Sequence, residues 1–294
     1  MQDIVMMEKP QLYDNKTVQI LRGAAEGHYG VLAAIAYNIE HILGFVQAAE
    51  NKRSPLIIQL FPWAVKFSNG ILVHAAARAA KQASVPISVH LDHCQDEELV
   101  KSACDLPFDS IMIDMSHHSK EENLAKTREL VSYCHSRGIA AEAEPGRIEG
   151  GEDGIAETAD LSGLMTTCEE TEQFIHSGVN ILAPAFGNVH GEYGPRGIIL
   201  EWDRLEKIHK ILAGNRAFIA LHGVNRFPTS LTRRLIAAGV TKVNVNRDIL
   251  MDYYKHLENQ INKVPFTQLL ESGVNVVAES MGKHMDIVMS SGKA

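Results

Sequence analysis

The chain has 294 residues, of which 45% are hydrophobic and 22% charged, and its net charge at pH 7 is −8. These proportions are typical of an ordinary globular protein. The acidic balance argues against nucleic acid or an anionic membrane surface as a partner. Residues 1–13 contain Asp3 and Glu8 and lack the apolar core of a secretory signal. No apolar run approaches the ~20 residues of a membrane-spanning helix, so we expect a cytoplasmic protein.

The four cysteines do not form a CxxC pair or a spacing typical of a disulfide framework. Free thiols in a chain of this size suit a reducing compartment. Cys94 directly follows a histidine, which raises the question whether it binds metal. Neighbouring side chains on a strand point to opposite faces, and this favours a packing role for Cys94.

Eight short apolar runs, rich in β-branched residues, predict strands. Runs that are apolar along their whole length suit parallel strands covered on both faces. The predicted strands are residues 31–36, 56–60, 87–91, 110–114, 139–144, 180–185, 217–221 and 242–246.

Helical patterns separate these runs, as at residues 121–137, 202–212 and 231–238, where apolar positions recur every three or four residues. Strand and helix alternate eight times, which favours an α/β protein with a (β/α)8 TIM barrel over an open doubly wound sheet. We expect residues 1–294 to form a single domain. It would have an N-terminal helical lead-in over about 1–30 and a C-terminal helical extension over about 250–294.

Three histidines stand where predicted strands end, or just beyond them. His93 follows the third strand, His190 follows the sixth and His222 ends the seventh. In a parallel barrel the carboxyl ends of all strands meet at one rim. Three neutral imidazoles around one point make a zinc site with an open coordination position.

Other polar residues are predicted at the same rim. A single histidine at a strand end is usually structural, but three of them accompanied by carboxylates favour metal binding. Arg226 and Arg247 lie just past strands seven and eight, where barrel phosphate sites often form, although each can equally be an ordinary surface arginine. The other polar residues of this rim are His90, Asp92, Asp114, Glu142, Glu144, Asn244 and Asn246.

The connection over residues 145–161 is rich in glycine and acidic residues and has little periodicity. Such a loop is either an active-site flap or an ordinary surface excursion. Glu152 within it is a candidate mobile acid/base, and its alternative is a solvated loop carboxylate.

Several motifs, in their order and spacing, resemble the class II, zinc-dependent fructose-bisphosphate and tagatose-bisphosphate aldolases. The resemblance runs from about Asn38 to the C-terminus. The motifs are His90-Leu91-Asp92-His93, Glu142-Ala143-Glu144-Pro145-Gly146, Gly151-Glu152-Asp153, Phe186-Gly187-Asn188-Val189-His190-Gly191, Leu221-His222-Gly223 and Gly239-Val240-Thr241-Lys242-Val243-Asn244-Val245.

The resemblance implies a homo-oligomer, a dimer or tetramer, that cleaves a phosphorylated ketose such as fructose 1,6-bisphosphate to dihydroxyacetone phosphate and an aldehyde. It implies catalytic zinc on His93, His190 and His222, with Asp114 and Glu144 holding the metal in an alternative buried position. Asp92 corresponds to the acid/base aspartate and Glu152 to the flap glutamate used for proton transfer.

The family's substrate-binding positions can also be carried over. Gly191 and Gly223 correspond to the site of the ketone-side phosphate and of a monovalent cation, Na⁺ or K⁺. Asn244 corresponds to the asparagine that contacts the dihydroxyacetone moiety. We expect four neighbours to bind substrate as well, namely Val224, Asn225, Asn246 and Arg247.

The chain departs from the family pattern where substrate would be held. Phe61-Pro62-Trp63 stands where a small hydroxylated residue is common, and Val224-Asn225-Arg226 replaces small glycine and serine residues. Asn246-Arg247 and the pair Pro145 and Glu149 are also atypical. The metal set and Asp92 are intact, so the chemistry is expected to persist. A bulky Phe61 and Trp63 would narrow the pocket or favour a less polar substrate.

Two other functions are compatible with the residues. A catalytically silent barrel acting as a binding or assembly subunit would explain the altered recognition positions, but it has no need of the complete histidine and carboxylate set. A zinc hydrolase on the same fold would use metal-activated water with Asp92 as its base.

Overall fold

The computed structural model describes residues 12–149, 164–195 and 197–294. Within them eight parallel strands pair in chain order, and the first pairs with the last to close a barrel. The predicted (β/α)8 TIM barrel is therefore confirmed. The strands are β1 (Val31–Ile35), β2 (Leu56–Leu60), β3 (Ile87–Cys94), β4 (Ser110–Ile113), β5 (Ala140–Ala143), β6 (Ile181–Leu182), β7 (Phe218–Leu221) and β8 (Val240–Val245).

Helices cover the outside of the barrel and both termini of the described chain. None of the described helices is long and apolar enough to cross a membrane. They are α1 (Lys16–Gly27), α2 (Ile39–Lys52), α3 (Pro62–Ser68), α4 (Ile71–Gln82), α5 (Glu97–Ala103), α6 (Lys120–Ser136), α7 (Cys168–Ser177), α8 (Trp202–Gly214), α9 (Thr229–Ala237), α10 (Arg247–Gln260) and α11 (Phe266–Ile287).

The apolar core has two parts. The larger lies between the strands and the surrounding helices and includes Cys94, which is fully buried. The smaller fills one end of the barrel, where Leu21 and Ala24 of α1 pack against Val31, Ile57 and other inward-facing residues. Helix α1 thereby closes the N-terminal end, and the polar residues are left at the opposite, C-terminal mouth.

The strand ends differ from the predicted ones where polar residues begin. β4 and β5 stop directly before Asp114 and Glu144. β6 is only two residues long, and beyond it the backbone N–H of Ala185 donates to the Thr166 hydroxyl. β3 instead runs on to Cys94, with an irregular register between Leu91 and Cys94. At β6 the Thr166 side chain thus takes a backbone group out of the regular ladder, whereas the Asp114 N–H just past β4 still donates to the Cys94 carbonyl.

Candidate active site

The end of β3 is bent so that two consecutive residues face the mouth of the barrel. His93 has a φ of +43°, in the left-handed region that non-glycine residues rarely adopt. This conformation coincides with the break in register of β3. As a result Asp92 and His93 line the same cavity, although neighbours on a regular strand point to opposite faces. Backbone irregularity of this kind is concentrated at functional sites.

The side chains of His93, His190 and His222 converge. His93 Nε2 is 2.9 Å from His222 Nδ1, and His190 Nε2 is 3.4 Å from the same atom. Nitrogen ligands of a tetrahedral zinc, at about 2.05 Å from the metal, lie about 3.3 Å from one another. The predicted triad is therefore drawn together at the spacing that a shared metal requires.

Two of these imidazoles are each oriented by a carboxylate. His93 Nδ1 is 2.9 Å from Asp114 Oδ2, and His222 Nε2 is 2.9 Å from Glu142 Oε1. When the outer nitrogen of each ring donates to its carboxylate, His93 Nε2 and His222 Nδ1 present lone pairs to a metal. Asp114 is thus placed to support a ligand as well as to act as one.

Burial and charge set the protonation of the triad. Burial lowers the pKa of His190 to about 4, with a further contribution from charge on His93. Burial, followed by His93 and Lys242, also lowers the pKa of His222 well below its usual value. Burial opposes charge on His93 too, but Asp92, Asp114 and Glu144 outweigh it and raise the pKa of that imidazole. Two of the three rings are therefore neutral, as metal ligands must be.

A second group of possible ligands shares His93 and includes Asp114 and Glu144. Glu144 Oε1 accepts a hydrogen bond from the Ile148 N–H, whereas its buried Oε2 has no hydrogen-bond partner. Burial and the neighbouring Asp114 raise the pKa of Glu144 well above its ordinary value. A buried oxygen without a partner is costly, and a metal bound beside it would satisfy it.

Asp92 is fully buried next to the triad. Its oxygens are 3.4 and 3.5 Å from the amide nitrogen of Asn244, and Oδ1 is 4.0 Å from the ammonium of Lys242. The same Asn244 nitrogen lies 3.3 Å from both ring nitrogens of His222. Asn244 therefore links the candidate acid/base to the candidate metal centre.

The sequence interpretation gave no role to Lys242, which is fully buried in β8. Its Nζ is 2.8 Å from Glu142 Oε2, and His90 Nε2 is 3.4 Å from the same oxygen. The sequence did contain evidence that Lys242 belongs to the site. Lys242 and Asn244 are two residues apart on one strand, so their side chains lie on the same face. A lysine inside a strand that is covered on both faces is expected to be buried only with a counter-charge.

All seven predicted substrate-binding residues line one cavity, which also contacts the ligand His190. This ketone-side cavity, as we name it, includes Asp248 and Ile35 in addition to Gly191, Gly223, Val224, Asn225, Asn244, Asn246 and Arg247. Arg226 Nη2 and Arg247 Nη2 are 3.5 and 3.4 Å from the same Glu192 oxygen. Glu152, predicted as a flap acid/base, lies outside the described residues.

Gly223 shows why this cavity requires glycine. Its φ is +72°, and a Cβ there would come within 2.2 Å of the Val189 carbonyl oxygen. The backbone beside His222 therefore lies directly against the backbone beside His190. Any larger residue would push apart the two segments that carry these ligands.

The residues present fit a divalent metal. Three imidazole nitrogens, two carboxylates that orient them and a buried carboxyl oxygen without a partner form a donor set typical of zinc. Cys94 packs in the outer core instead, as the alternation of strand faces predicted.

Barrel and site together define a class of protein, the TIM-barrel enzymes with a candidate metal centre at the C-terminal mouth. Residues 15–293 match the family described as fructose-bisphosphate aldolase class-II. The chain belongs to the class II fructose-bisphosphate aldolase family, as its motifs predicted, and this is a family of carbon–carbon lyases.

Individual relatives agree with this assignment. A Coccidioides immitis protein that carries the name putative fructose-bisphosphate aldolase is 49% identical over 98% of both chains. The fructose-bisphosphate aldolase of Geobacillus stearothermophilus is 31% identical, over 94% of this chain and 97% of its own.

Solved structures are similar along most of the chain. The crystal structure of a putative fructose-1,6-bisphosphate aldolase from Coccidioides immitis has a TM-score of 0.90 and 50% sequence identity. The match covers 95% of this chain and 98% of that chain. The YdjI aldolase of Escherichia coli K12 has a TM-score of 0.83 and 25% identity over the same shares of the two chains.

Proposed function

We propose that this protein is a zinc-dependent aldolase that reversibly cleaves a phosphorylated ketose to dihydroxyacetone phosphate and an aldehyde. The observation that carries the proposal is the convergence of three imidazole nitrogens beside the buried Asp92 carboxylate. Aldol cleavage needs a Lewis acid and a base a few ångströms apart, and this arrangement supplies places for both.

When bound, zinc supplies Lewis-acid stabilisation of the negative charge that develops on the ketone side of the breaking bond. His93, His190 and His222 would hold it. Asp114 and Glu142 accept the outer N–H of two of these rings and so keep the coordinating nitrogens aimed inward. Glu144 and Asp114 would hold the metal in the alternative, buried position.

Asp92 would take the proton from the hydroxyl next to the bond that breaks, and return it in the reverse direction. The Lys242 ammonium lies 4.0 Å from this carboxylate and stabilises negative charge on it between turnovers. Asn244 would contact the dihydroxyacetone moiety, since its amide lies between Asp92 and His222. We assign a further proton transfer, the role of the family's flap glutamate, to Glu152.

The ketone-side cavity would bind the phosphate of dihydroxyacetone phosphate. Gly191 and Gly223 let the backbone approach the phosphate and a monovalent cation, Na⁺ or K⁺. Arg247 lines this cavity and would contact the anionic group, and Arg226 lies beside it on the same Glu192 carboxylate. Val224, Asn225 and Asn246 complete the wall. We further propose a cytoplasmic homo-oligomer.

The central test is His222→Ala. We expect it to lose most bound zinc, measured by atomic emission, and to lose aldol cleavage of a panel of phosphorylated ketoses followed by triose-phosphate release. A chelator should abolish turnover by the wild-type protein, and zinc should restore it. Unchanged zinc content and unchanged cleavage in His222→Ala would refute the proposal. Turnover that needs zinc would exclude a catalytically silent barrel, and hydrolysis without aldol activity would favour the zinc hydrolase.

A further inference from the structure

We propose that the aldehyde released by this protein carries no phosphate, so that its substrate is a ketose 1-phosphate and not a bisphosphate. This inference rests on the proposed aldolase function and concerns the opposite side of the same site. It comes from a second cavity that meets the ketone-side cavity at His190. We name it the aldehyde-side cavity, and Phe61, Pro62, Asp92, His93, Glu144 and Arg147 are among its lining residues.

The two cavities differ in charge. The ketone-side cavity is lined by one guanidinium group, that of Arg247, and one carboxylate, that of Asp248. The aldehyde-side cavity is lined by three carboxylates, those of Asp92, Asp114 and Glu149, in addition to the carboxyl group of Glu144. Among its described lining residues the one guanidinium is Arg147, and its Nε is 3.2 Å from Glu149 Oε1. Apart from a bound metal, the second cavity has an excess of carboxylates over guanidinium groups and the first does not, so a phosphate is favoured in the first cavity.

Two neutral donors in the aldehyde-side cavity are already engaged. The Gln95 amide and the Ser116 hydroxyl both donate to Asp114. A second phosphate entering here would have to break bonds that hold Asp114, which itself orients the ligand His93.

One wall of the aldehyde-side cavity, between β2 and α3, is apolar. Phe61 precedes α3 and makes no side-chain capping bond, and Pro62 in the first turn has no N–H to donate. The Phe61 ring stacks on Trp63 at 5.6 Å, and Trp63 stacks on Phe67 at 4.8 Å. The Tyr37 ring meets Phe61 edge to face at 5.6 Å. The row holds Phe61 in place, and Phe61 with Pro62 presents an apolar surface that favours the carbon chain of an uncharged aldehyde.

The reaction can be read in the direction of synthesis. The C3 carbon of dihydroxyacetone phosphate loses a proton and forms a bond to the carbonyl carbon of the aldehyde. The carbonyl oxygen gains a proton and becomes the new hydroxyl. The ketose product then carries one phosphate, on the dihydroxyacetone side. Measuring synthesis avoids any assumption about the stereochemistry of the natural ketose.

The experiment compares aldehydes with the zinc-loaded protein and dihydroxyacetone phosphate. The probes are glyceraldehyde 3-phosphate, glyceraldehyde and propanal. We expect kcat/KM for the better uncharged aldehyde to exceed that for glyceraldehyde 3-phosphate by about tenfold or more, the range that pocket contacts can supply. Equal or preferential use of glyceraldehyde 3-phosphate would overturn the inference.

Two matched variants test the role of the aromatic wall. Phe61→Ser replaces the ring in the cavity by a hydroxyl and should reduce the preference for uncharged aldehydes about fivefold or more. Phe67→Ser removes an aromatic ring from the same row, but outside the cavity lining, and should leave the preference unchanged. If the aldehyde preference changes equally in both variants, or in neither, Phe61 does not determine it.

Deuterium exchange separates failure of this inference from failure of the proposed function. Exchange of the C3 hydrogen of dihydroxyacetone phosphate in D₂O needs the metal and base chemistry but no aldehyde. Exchange together with a preference for the phosphorylated aldehyde refutes the inference alone. Absence of exchange in the zinc-loaded protein refutes the aldolase proposal, and the inference with it.

Discussion

At the scale of single residues, Glu142 connects the candidate ligand His222 to the buried Lys242. Glu142 accepts from His222 through one oxygen and is 2.8 Å from Lys242 through the other. A buried carboxylate without a counter-charge would be strongly destabilising, and Lys242 places an ammonium group directly beside Glu142. The pair explains how a lysine and a glutamate come to lie fully buried inside the barrel.

Replacing Glu142 tests this arrangement. Glu142→Gln keeps the shape but weakens the acceptor for His222 Nε2 and leaves Lys242 with the more distant Asp92, at 4.0 Å, as its counter-charge. We expect zinc affinity to fall about 10- to 100-fold, as is usual when the outer partner of a ligand histidine is lost. Competition with a chromophoric chelator measures the affinity.

The double variant Glu142→Gln/Lys242→Met removes both charges and controls for folding. It should regain stability relative to Glu142→Gln, as followed by urea denaturation, while its zinc affinity stays low. Wild-type zinc affinity in both variants would show that Glu142 does not position His222.

At the scale of secondary-structure elements, the turn at Gly223 after β7 is needed to bring His222 close to His190. Gly223 and Gly138 have similar positive φ angles, +72° and +75°, but a Cβ at Gly138 would meet nothing within 4 Å. Gly138→Ala should therefore cost only the left-handed strain of about 1–2 kcal/mol. Gly223→Ala should cost more and also lower zinc affinity, because Val189 must move. Equal unfolding free energies for the two variants would contradict this explanation.

Helix α2 carries a buried histidine that should make stability depend on pH. Burial lowers the pKa of His41 to about 4, and its Nδ1 accepts from the Tyr37 N–H at 3.2 Å. The unfolded chain binds this proton near pH 6.5, so the neutral ring stabilises the fold fully above that value. This stabilisation is lost as the pH falls from 6.5 towards 4. At pH 5 the loss in unfolding free energy is about 2 kcal/mol.

Urea denaturation at pH 7.5 and pH 5.0 measures this effect. His41→Gln should lose less stability than the wild type over that interval, by about 2 kcal/mol. The exposed His74 provides the control, because His74→Gln should follow the wild-type pH dependence. Parallel curves for all three proteins would show that His41 does not control the acid sensitivity.

At the scale of the whole molecule, closure of the barrel brings the three candidate metal ligands together. His93 lies on β3, His190 follows β6 and His222 follows β7, so a bound metal ties together segments far apart in the chain. Zinc at 100 times its dissociation constant should stabilise the fold by about 2.7 kcal/mol.

That stabilisation corresponds to a rise in Tm of roughly 4 °C for a chain of this size. Scanning calorimetry with zinc and with a chelator measures it. His222→Ala should show a much smaller rise, and an equal rise would place the stabilising metal elsewhere.

The sequence by itself determined the barrel and the type of site. Eight apolar runs separated by helical periods predict parallel strands, because residues buried on both faces must be apolar along their length. His93, His190 and His222 were identifiable because they interrupt or follow those runs. The motifs from His90-Leu91-Asp92-His93 onward also identified the family correctly.

Only the tertiary structure decided how the site is assembled. Periodicity places Asp92 and His93 on opposite faces, and the bend at His93 that brings both into one cavity is a backbone feature that no pattern encodes. The Lys242–Glu142 pair joins β8 to β5, and the charge difference between the two cavities sums residues from many loops. Local sequence specifies which face a side chain takes, whereas contacts between distant strands depend on the closed barrel.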